Sequence, residues 1–192
     1  MIVKNLKIFS QNVWKNFLIV NTILETQSQF NFIQESPWSE IHRIPSSLDC
    51  EDETLMGTTH HPNWLSFARI PSEGLDSPRV ITYINICLSS FHFLLRKDII
   101  NHRDIILISF TNNHICYYIM NVYSDSSHSA LKYLKDTEVN IDNVLLMTGD
   151  FNIRDSLWDP SFPFHSSISD DLIIIANSFN LSLSTPINLL QT

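Results

Sequence analysis

The sequence predicts one layered α/β (α+β) domain, and three observations carry that prediction. Hydrophobic residues make up 44% of the chain and charged residues 17%, so there is ample apolar surface to build a core. The 192 residues are the length of a single domain, taken as residues 1–192. Short apolar or alternating runs recur along the chain, helical stretches fall between them, and tight-turn hairpins are mixed with longer crossovers.

Residues 6–13 alternate roughly between apolar and polar and predict a strand. Residues 14–27 set Phe17, Leu18, Val20, Ile23 and Leu24 at helical spacing. Residues 30–34 are a short apolar run, consistent with a buried strand, and Pro37 closes it. Residues 36–62 are rich in Ser, Pro, Asp and Glu and read as a long surface loop. The acidity of Asp49, Glu51, Asp52 and Glu53 in that loop argues against contact with a phosphate backbone. Residues 64–70 and 79–88 predict two further strands around a turn-like stretch at 71–78. Residues 105–110 and 115–122 predict a hairpin turning at Thr111-Asn112-Asn113-His114. A helix is expected over 125–139, with Ser126 or Ser127 near its cap. Residues 144–147 predict a buried strand that stops at Thr148-Gly149-Asp150, residues 168–180 a helix, and residues 181–183 the start of another strand.

Composition excludes several classes of function. Twelve Lys and Arg against 20 Asp and Glu give a net charge of −8, so the chain as a whole does not advertise a phosphate-binding surface. Only 3 glycines rule out a glycine-rich phosphate loop. The three cysteines, Cys50, Cys87 and Cys116, are odd in number and lack a C-x-x-C spacing. That argues against a disulfide framework or a thiolate zinc site and points to a reducing compartment, nuclear or cytoplasmic. Lys4, Lys7 and Lys15 interrupt the apolar N-terminus, so no secretory signal core is expected. No window approaches 18 uncharged apolar residues, so no membrane span is expected either.

Four predicted strand ends present polar groups: Gln11-Asn12, Gln34-Glu35, Asn121-Val122-Tyr123 and Gly149-Asp150-Phe151-Asn152. If they converge, they offer two carboxylates, several amides and a phenol. That set suits one hard divalent cation bound through oxygen, with a phosphate on its open side. Each residue also has a plain structural reading. Glu35 can be a solvated loop residue, Asn12 a turn residue, Tyr123 a core aromatic with its hydroxyl at the surface, and Asp150 an Asx-turn.

The order and spacing of these groups carry more. Phe9-Ser-Gln-Asn12, Phe32-Ile-Gln-Glu-Ser36, His61-Pro-Asn-Trp64, Pro78-Arg-Val-Ile-Thr-Tyr83, Asn121-Val-Tyr-Ser-Asp125, Gly149-Asp-Phe-Asn152 with Trp158-Asp159, and Thr185-Pro-Ile-Asn188 together resemble the endonuclease/exonuclease/phosphatase superfamily. The resemblance is closest to the endonuclease domain of fungal non-LTR (LINE-type) retrotransposons, and it spans about residues 6–192. It implies a four-layer α-β-β-α sandwich of two mixed sheets with a site at one end. It implies that Glu35 binds Mg²⁺ (or Mn²⁺) with Asn12 beside it, and that Asp150 orients or deprotonates the attacking water. Asn152 would hold the scissile phosphate or the nucleophile, and Tyr123 would donate to a phosphate oxygen. The implied reaction is in-line hydrolysis of a DNA phosphodiester, leaving a 3′-hydroxyl to prime reverse transcription by a reverse transcriptase domain in a longer polyprotein.

The pattern also departs from the family. The later Asp and the terminal Asp-His pair of the family would follow the Thr-Pro turn, and the sequence stops at Thr192. A domain lacking those last strands is expected to be impaired in catalysis and to be marginally stable or to self-associate. Arg154 stands where related elements often carry His and is expected to face phosphate or DNA. A catalytically inactive retroelement relic and, less favoured, a small-molecule phosphatase on the same fold are the competing readings.

Overall fold

The computed structural model describes residues 6–42, 54–69, 77–137, 139–159 and 161–184. Along the chain run β1 (Ile8–Asn12), α1 (Phe17–Leu24), β2 (Phe30–Gln34), β3 (Ser39–His42), β4 (Thr54–Gly57), β5 (Trp64–Ala68) and β6 (Val80–Asn85). A 3-10 helix (Ile86–Phe91) follows, then β7 (Leu94–Leu95), β8 (Ile105–Asn112), β9 (Ile115–Tyr123), α2 (Ser129–Asp136), β10 (Val144–Asp150) and α3 (Ser167–Ser178).

Among the described residues ten strands form two mixed four-stranded sheets, ordered β1-β2-β6-β5 and β10-β9-β8-β7, and a two-stranded ribbon, β3-β4. In each large sheet one pair is parallel, β1 with β2 and β9 with β10, and the rest are antiparallel. Alternation along β8 shows how the layers stack. Ile106 and Ile108 lie in the apolar layer between the sheets with Phe30, Phe32, Val80 and Ile119. Ile105 and Leu107 lie on the opposite face with Leu131 and Leu134 of α2 and Leu172 and Ile175 of α3. Successive side chains of a strand point to opposite faces, so a strand covered on both sides reads as an unbroken apolar run. The outer face of the first sheet packs Ile33 and Ile81 against Val20, Ile23 and Leu24 of α1. The order is therefore helix, sheet, sheet, helices, the expected α-β-β-α sandwich. No helix among the described residues is long and apolar enough to cross a membrane.

Several boundaries differ from the sequence reading, each for a local reason. The first helix starts at Phe17 rather than Trp14 because Trp14 and Lys15 are left-handed (φ 47° and 58°). The Asn16 side chain then caps the helix, accepting from Leu18 N at 2.9 Å and Ile19 N at 3.3 Å. The stretch read as one surface loop, 36–62, contains the β3-β4 ribbon; its acidic run lies outside the described residues. The hairpin turn is two residues, not four: Asn113 and His114 both take positive φ (50° and 65°), so pairing continues to Asn112 and Ile115. At α2 the cap is supplied by neither Ser126 nor Ser127. Asp125 Oδ1 accepts from Ser127 N at 3.1 Å and Ser129 N at 3.3 Å. The strand expected over 181–183 is absent. Asn180 is left-handed and Leu181 N donates to Ala176 O at 2.9 Å, so a helix-closing turn takes the N–H that a ladder would need. The Thr185-Pro186-Ile187-Asn188 turn lies outside the described residues.

Candidate active site

Parallel pairing places the predicted residues. β1 and β2 end side by side with Asn12 opposite Gln34, and β9 and β10 end side by side with Tyr123 opposite Asp150. Two hydrogen bonds join these ends across the two sheets. Asn12 Nδ2 donates to Asp150 Oδ2 at 2.8 Å, and Tyr123 OH donates to Glu35 Oε1 at 2.5 Å. Asn152 joins the same group from the loop beyond β10. Its backbone N donates to Asp150 Oδ1 at 3.1 Å and its Nδ2 to Ser124 O at 2.7 Å. Asn12, Glu35, Tyr123, Asp150 and Asn152 thus meet at one end of the sandwich. Arg154 does not join them: it is exposed on the following loop and makes no ion pair with a described residue.

The local backbone explains the aim of these groups. Glu35 is left-handed (φ 47°), so the chain turns sharply as β2 ends, and its carbonyl accepts from Lys15 N at 2.7 Å. Asn12 Oδ1 accepts from Trp14 N at 2.9 Å, which fixes the amide so that its NH₂ faces Asp150. Asn152 is also left-handed (φ 51°). Gly149 sits at φ 151°, where a Cβ would lie 1.8 Å from Val122 O. Only glycine lets β10 approach β9 this closely one residue before Asp150.

Charge around the phenol sets its protonation. Burial, the hydrogen bond to Glu35 and the nearby negative charges of Glu35 and Asp150 push the Tyr123 hydroxyl up to about 12. It is therefore a standing donor at neutral pH. The Arg79 guanidinium lies 4.6 Å from the Tyr123 ring centroid. Arg79 is anchored by Asp104, through Nε at 2.8 Å and a second bond from Nη2, and by Asp125 at 3.0 Å. Burial pushes the Asp125 carboxyl up, but bonds from Ser127 and Arg79 outweigh it and hold it well below the usual carboxylate range. Arg79 stands within Pro78-Arg-Val-Ile-Thr-Tyr83, one of the segments that carry the resemblance, but nothing in the sequence seats it behind Tyr123.

Two strand-end amides play another part than the sequence suggested. Gln34 and Asn121 are buried and bind each other, Gln34 Nε2 to Asn121 Oδ1 at 2.7 Å. Asn121 Nδ2 donates onward to Ile81 O at 3.0 Å and to Ile33 O and Thr82 Oγ1, each at 3.3 Å. They clamp the sheets together beneath the site and are not open to a ligand.

Among the described residues no three His, Cys, Asp or Glu side chains converge into a metal cage. Glu35 and Asp150, however, both act on the Tyr123 phenol, and Glu35 Oε2 has no hydrogen-bond partner among the described residues. Two carboxylates and an amide oxygen are hard donors. They fit Mg²⁺ (or Mn²⁺), which keeps several of its waters and takes one or two carboxylates plus substrate phosphate.

No family model and no curated protein matches the chain. Among solved structures, a humanized D. rerio TDP2 carrying 14 mutations aligns with 84% of this chain and 68% of its own, at 13% identity and a TM-score of 0.40, too distant to bear on the fold. The endonuclease domain of TRAS1, a telomere-specific non-LTR retrotransposon, aligns with 90% of this chain and 70% of its own, at 11% identity and a TM-score of 0.53. The chain shares its two-sheet sandwich fold with that endonuclease domain.

Proposed function

We propose that the chain is a divalent-metal-dependent phosphodiesterase that nicks DNA, the endonuclease of a non-LTR retrotransposon. The observation that carries this reading is the meeting of Asn12, Glu35, Tyr123, Asp150 and Asn152 across two sheets on the fold of an endonuclease domain. Glu35 would hold the metal with Asn12 beside it. A bound Mg²⁺ neutralises phosphate charge and favours departure of the leaving oxygen. Asp150, held by Asn12 Nδ2 and Asn152 N, accepts a hydrogen bond from the attacking water and takes its proton. Tyr123, protonated throughout the neutral range, turns its O–H from Glu35 to a non-bridging phosphate oxygen. The Asn152 side-chain amide holds the phosphate or the water. In-line attack at phosphorus breaks the bond to the 3′-oxygen, which takes a proton from solvent water, giving a 3′-hydroxyl and a 5′-phosphate. Such a hydroxyl can prime reverse transcription.

Supercoiled-plasmid nicking tests the reading. The expected result is nicking in Mg²⁺ that disappears in EDTA and falls at least about 10²-fold in Asp150→Ala, the low end for loss of a general base. Inactivity of folded chain on plasmid refutes it in favour of a non-catalytic relic. Turnover of a phosphomonoester in preference to plasmid refutes it in favour of a small-molecule phosphatase.

A further inference from the structure

The Tyr123 phenol is aimed by a bond that its own use would break. Its O–H donates to Glu35 Oε1 at 2.5 Å and makes no other hydrogen bond among the described residues. In the proposed reaction that O–H leaves Glu35 for a phosphate oxygen, and the hydroxyl end of the ring then has no tether within the protein. The ring itself is 7% exposed and belongs to the apolar layer between the sheets. Apolar contacts are non-directional, so they set the depth of the ring more than its tilt.

Arg79 supplies a directional hold. Its guanidinium lies over the Tyr123 ring, 4.6 Å from the centroid. Nε and Nη2 bind the two oxygens of Asp104, and Nη2 also binds Asp125 Oδ2 at 3.0 Å. Asp104 is fully buried, and its backbone carbonyl accepts from Tyr123 N at 2.9 Å. One residue therefore grips both the tyrosine backbone and the cation over its ring. Arg79 also reaches the other partner of the phenol bond, because its carbonyl accepts at 3.1 Å from the N–H of Ser36, the residue after Glu35. A planar guanidinium fixed by a bidentate carboxylate and stacked on an aromatic ring is a geometry that lysine does not reproduce.

We propose that Arg79 is a positioning residue for Tyr123: backed by Asp104 and Asp125, it keeps the ring aimed at the site while the hydroxyl is released from Glu35 and donates to substrate. The inference rests on the phosphodiesterase reading for what the hydroxyl donates to. The hold on the ring is tested without substrate or metal, so that the two can fail separately.

The test is aromatic NMR of the full chain carrying ¹³C-labelled tyrosine, in EDTA, with Tyr123→Phe identifying the Tyr123 signals among the five tyrosines. Glu35→Ala cuts the phenol bond. Rotation of the Tyr123 ring is expected to keep its wild-type rate in Glu35→Ala and to quicken about tenfold when Arg79→Lys is added, the loss of one desolvated cation–π contact. Lysine keeps a charge beside Asp104 and gives up the stacking and the second bond. Asp125→Asn keeps an acceptor oxygen for the α2 cap and loses the charged bond to Arg79. It is expected to move the same rate in the same direction by less, and it carries the test if Arg79→Lys fails to fold. Equal rotation with and without the Arg79→Lys or Asp125→Asn change in the Glu35→Ala chain overturns the proposal, and so does rapid rotation in Glu35→Ala alone. With plasmid as substrate, Arg79→Lys is expected to lower kcat about 2- to 30-fold with KM unchanged, and to have no further effect in Tyr123→Phe. A fall of the same size in Tyr123→Phe overturns action through the phenol. Ring rotation as expected in a chain that nicks no plasmid keeps the hold and refutes only the nuclease reading.

Discussion

Replacing Asn121 by Leu tests whether the buried amide clamp holds the two sheets in register. In the wild type the Asn121 side chain accepts from Gln34 Nε2 at 2.7 Å and donates to Ile81 O at 3.0 Å, in a fully buried position. Leucine fills nearly the same volume but offers neither bond. Gln34 Nε2 keeps its longer bonds to Ser10 Oγ at 3.3 Å and Phe32 O at 3.2 Å, so it is weakened rather than orphaned. With about 1–3 kcal/mol for each buried group left short of a partner, the loss should be about 2–4 kcal/mol. For a domain of this size that corresponds to a fall of roughly 4–16 °C in melting temperature. Urea and thermal unfolding followed by circular dichroism read it directly. Gln34→Leu should lose a similar amount. The double variant should lose less than the sum, by about 0.5–3 kcal/mol, because the second change removes a group already short of a partner. An Asn121→Leu variant within about 0.5 kcal/mol of wild type, the range of unremarkable surface changes, would refute the reasoning. So would strict additivity in the double variant.

Gly149→Ala should cost about 3 kcal/mol or more, from positive-φ strain and overpacking combined, since its Cβ would fall 1.8 Å from Val122 O. Plasmid nicking should fall with it as Asp150 shifts, and a wild-type melt would contradict the close approach of the strands. His165 bridges Asp155 and Asp170, at 2.9 Å to each, and the two carboxylates raise its pKa above 6.5. The stabilisation from its charged form is therefore complete below about pH 6.5 and is lost as pH rises through the raised value. His165→Gln should melt below wild type at pH 6 and converge with it in the alkaline range; a constant gap from pH 6 to pH 9.5 would remove the ion pairs from the account.

Strand cores were the most legible part of the sequence. Residues 105–108 are apolar on both faces and residues 30–34 are buried at every position because each segment lies between two packed layers, and a run of that kind has few other uses. Ends were harder, because they depend on single left-handed residues. Nothing in Trp14 or Lys15 announces positive φ, so the helix read from apolar spacing ran three residues too early. The β3-β4 ribbon was hidden by loop-like composition. At the site, Asn12, Glu35, Tyr123, Asp150 and Asn152 could be singled out because acidic and amide side chains directly after buried strands stand out. The same rule misjudged Gln34 and Asn121. Gln34 shares the face of Phe30 and Phe32, and Asn121 that of Tyr123, so both point between the sheets, and it is their depth behind the strand ends that separates them from the site. Arg79 could not be placed from sequence, because its position behind Tyr123 follows from the packing of one sheet on the other.

The bond from Asn12 to Asp150 joins residues 138 positions apart, and that from Tyr123 to Glu35 spans 88. The β8-β9 hairpin, by contrast, closes over two residues. Contacts of short sequence separation form early in folding, and those that close long loops await the docking of preformed pieces. The β8-β9 ribbon can therefore be complete while the first sheet is still finding its place, and on a ribosome β1 and β2 emerge long before β10 exists to receive Asn12. The meeting of these four residues is among the last features to come into being in each molecule. A chain stalled short of sheet docking would hold much of its secondary structure while Asn12 and Asp150, and Tyr123 and Glu35, were still apart.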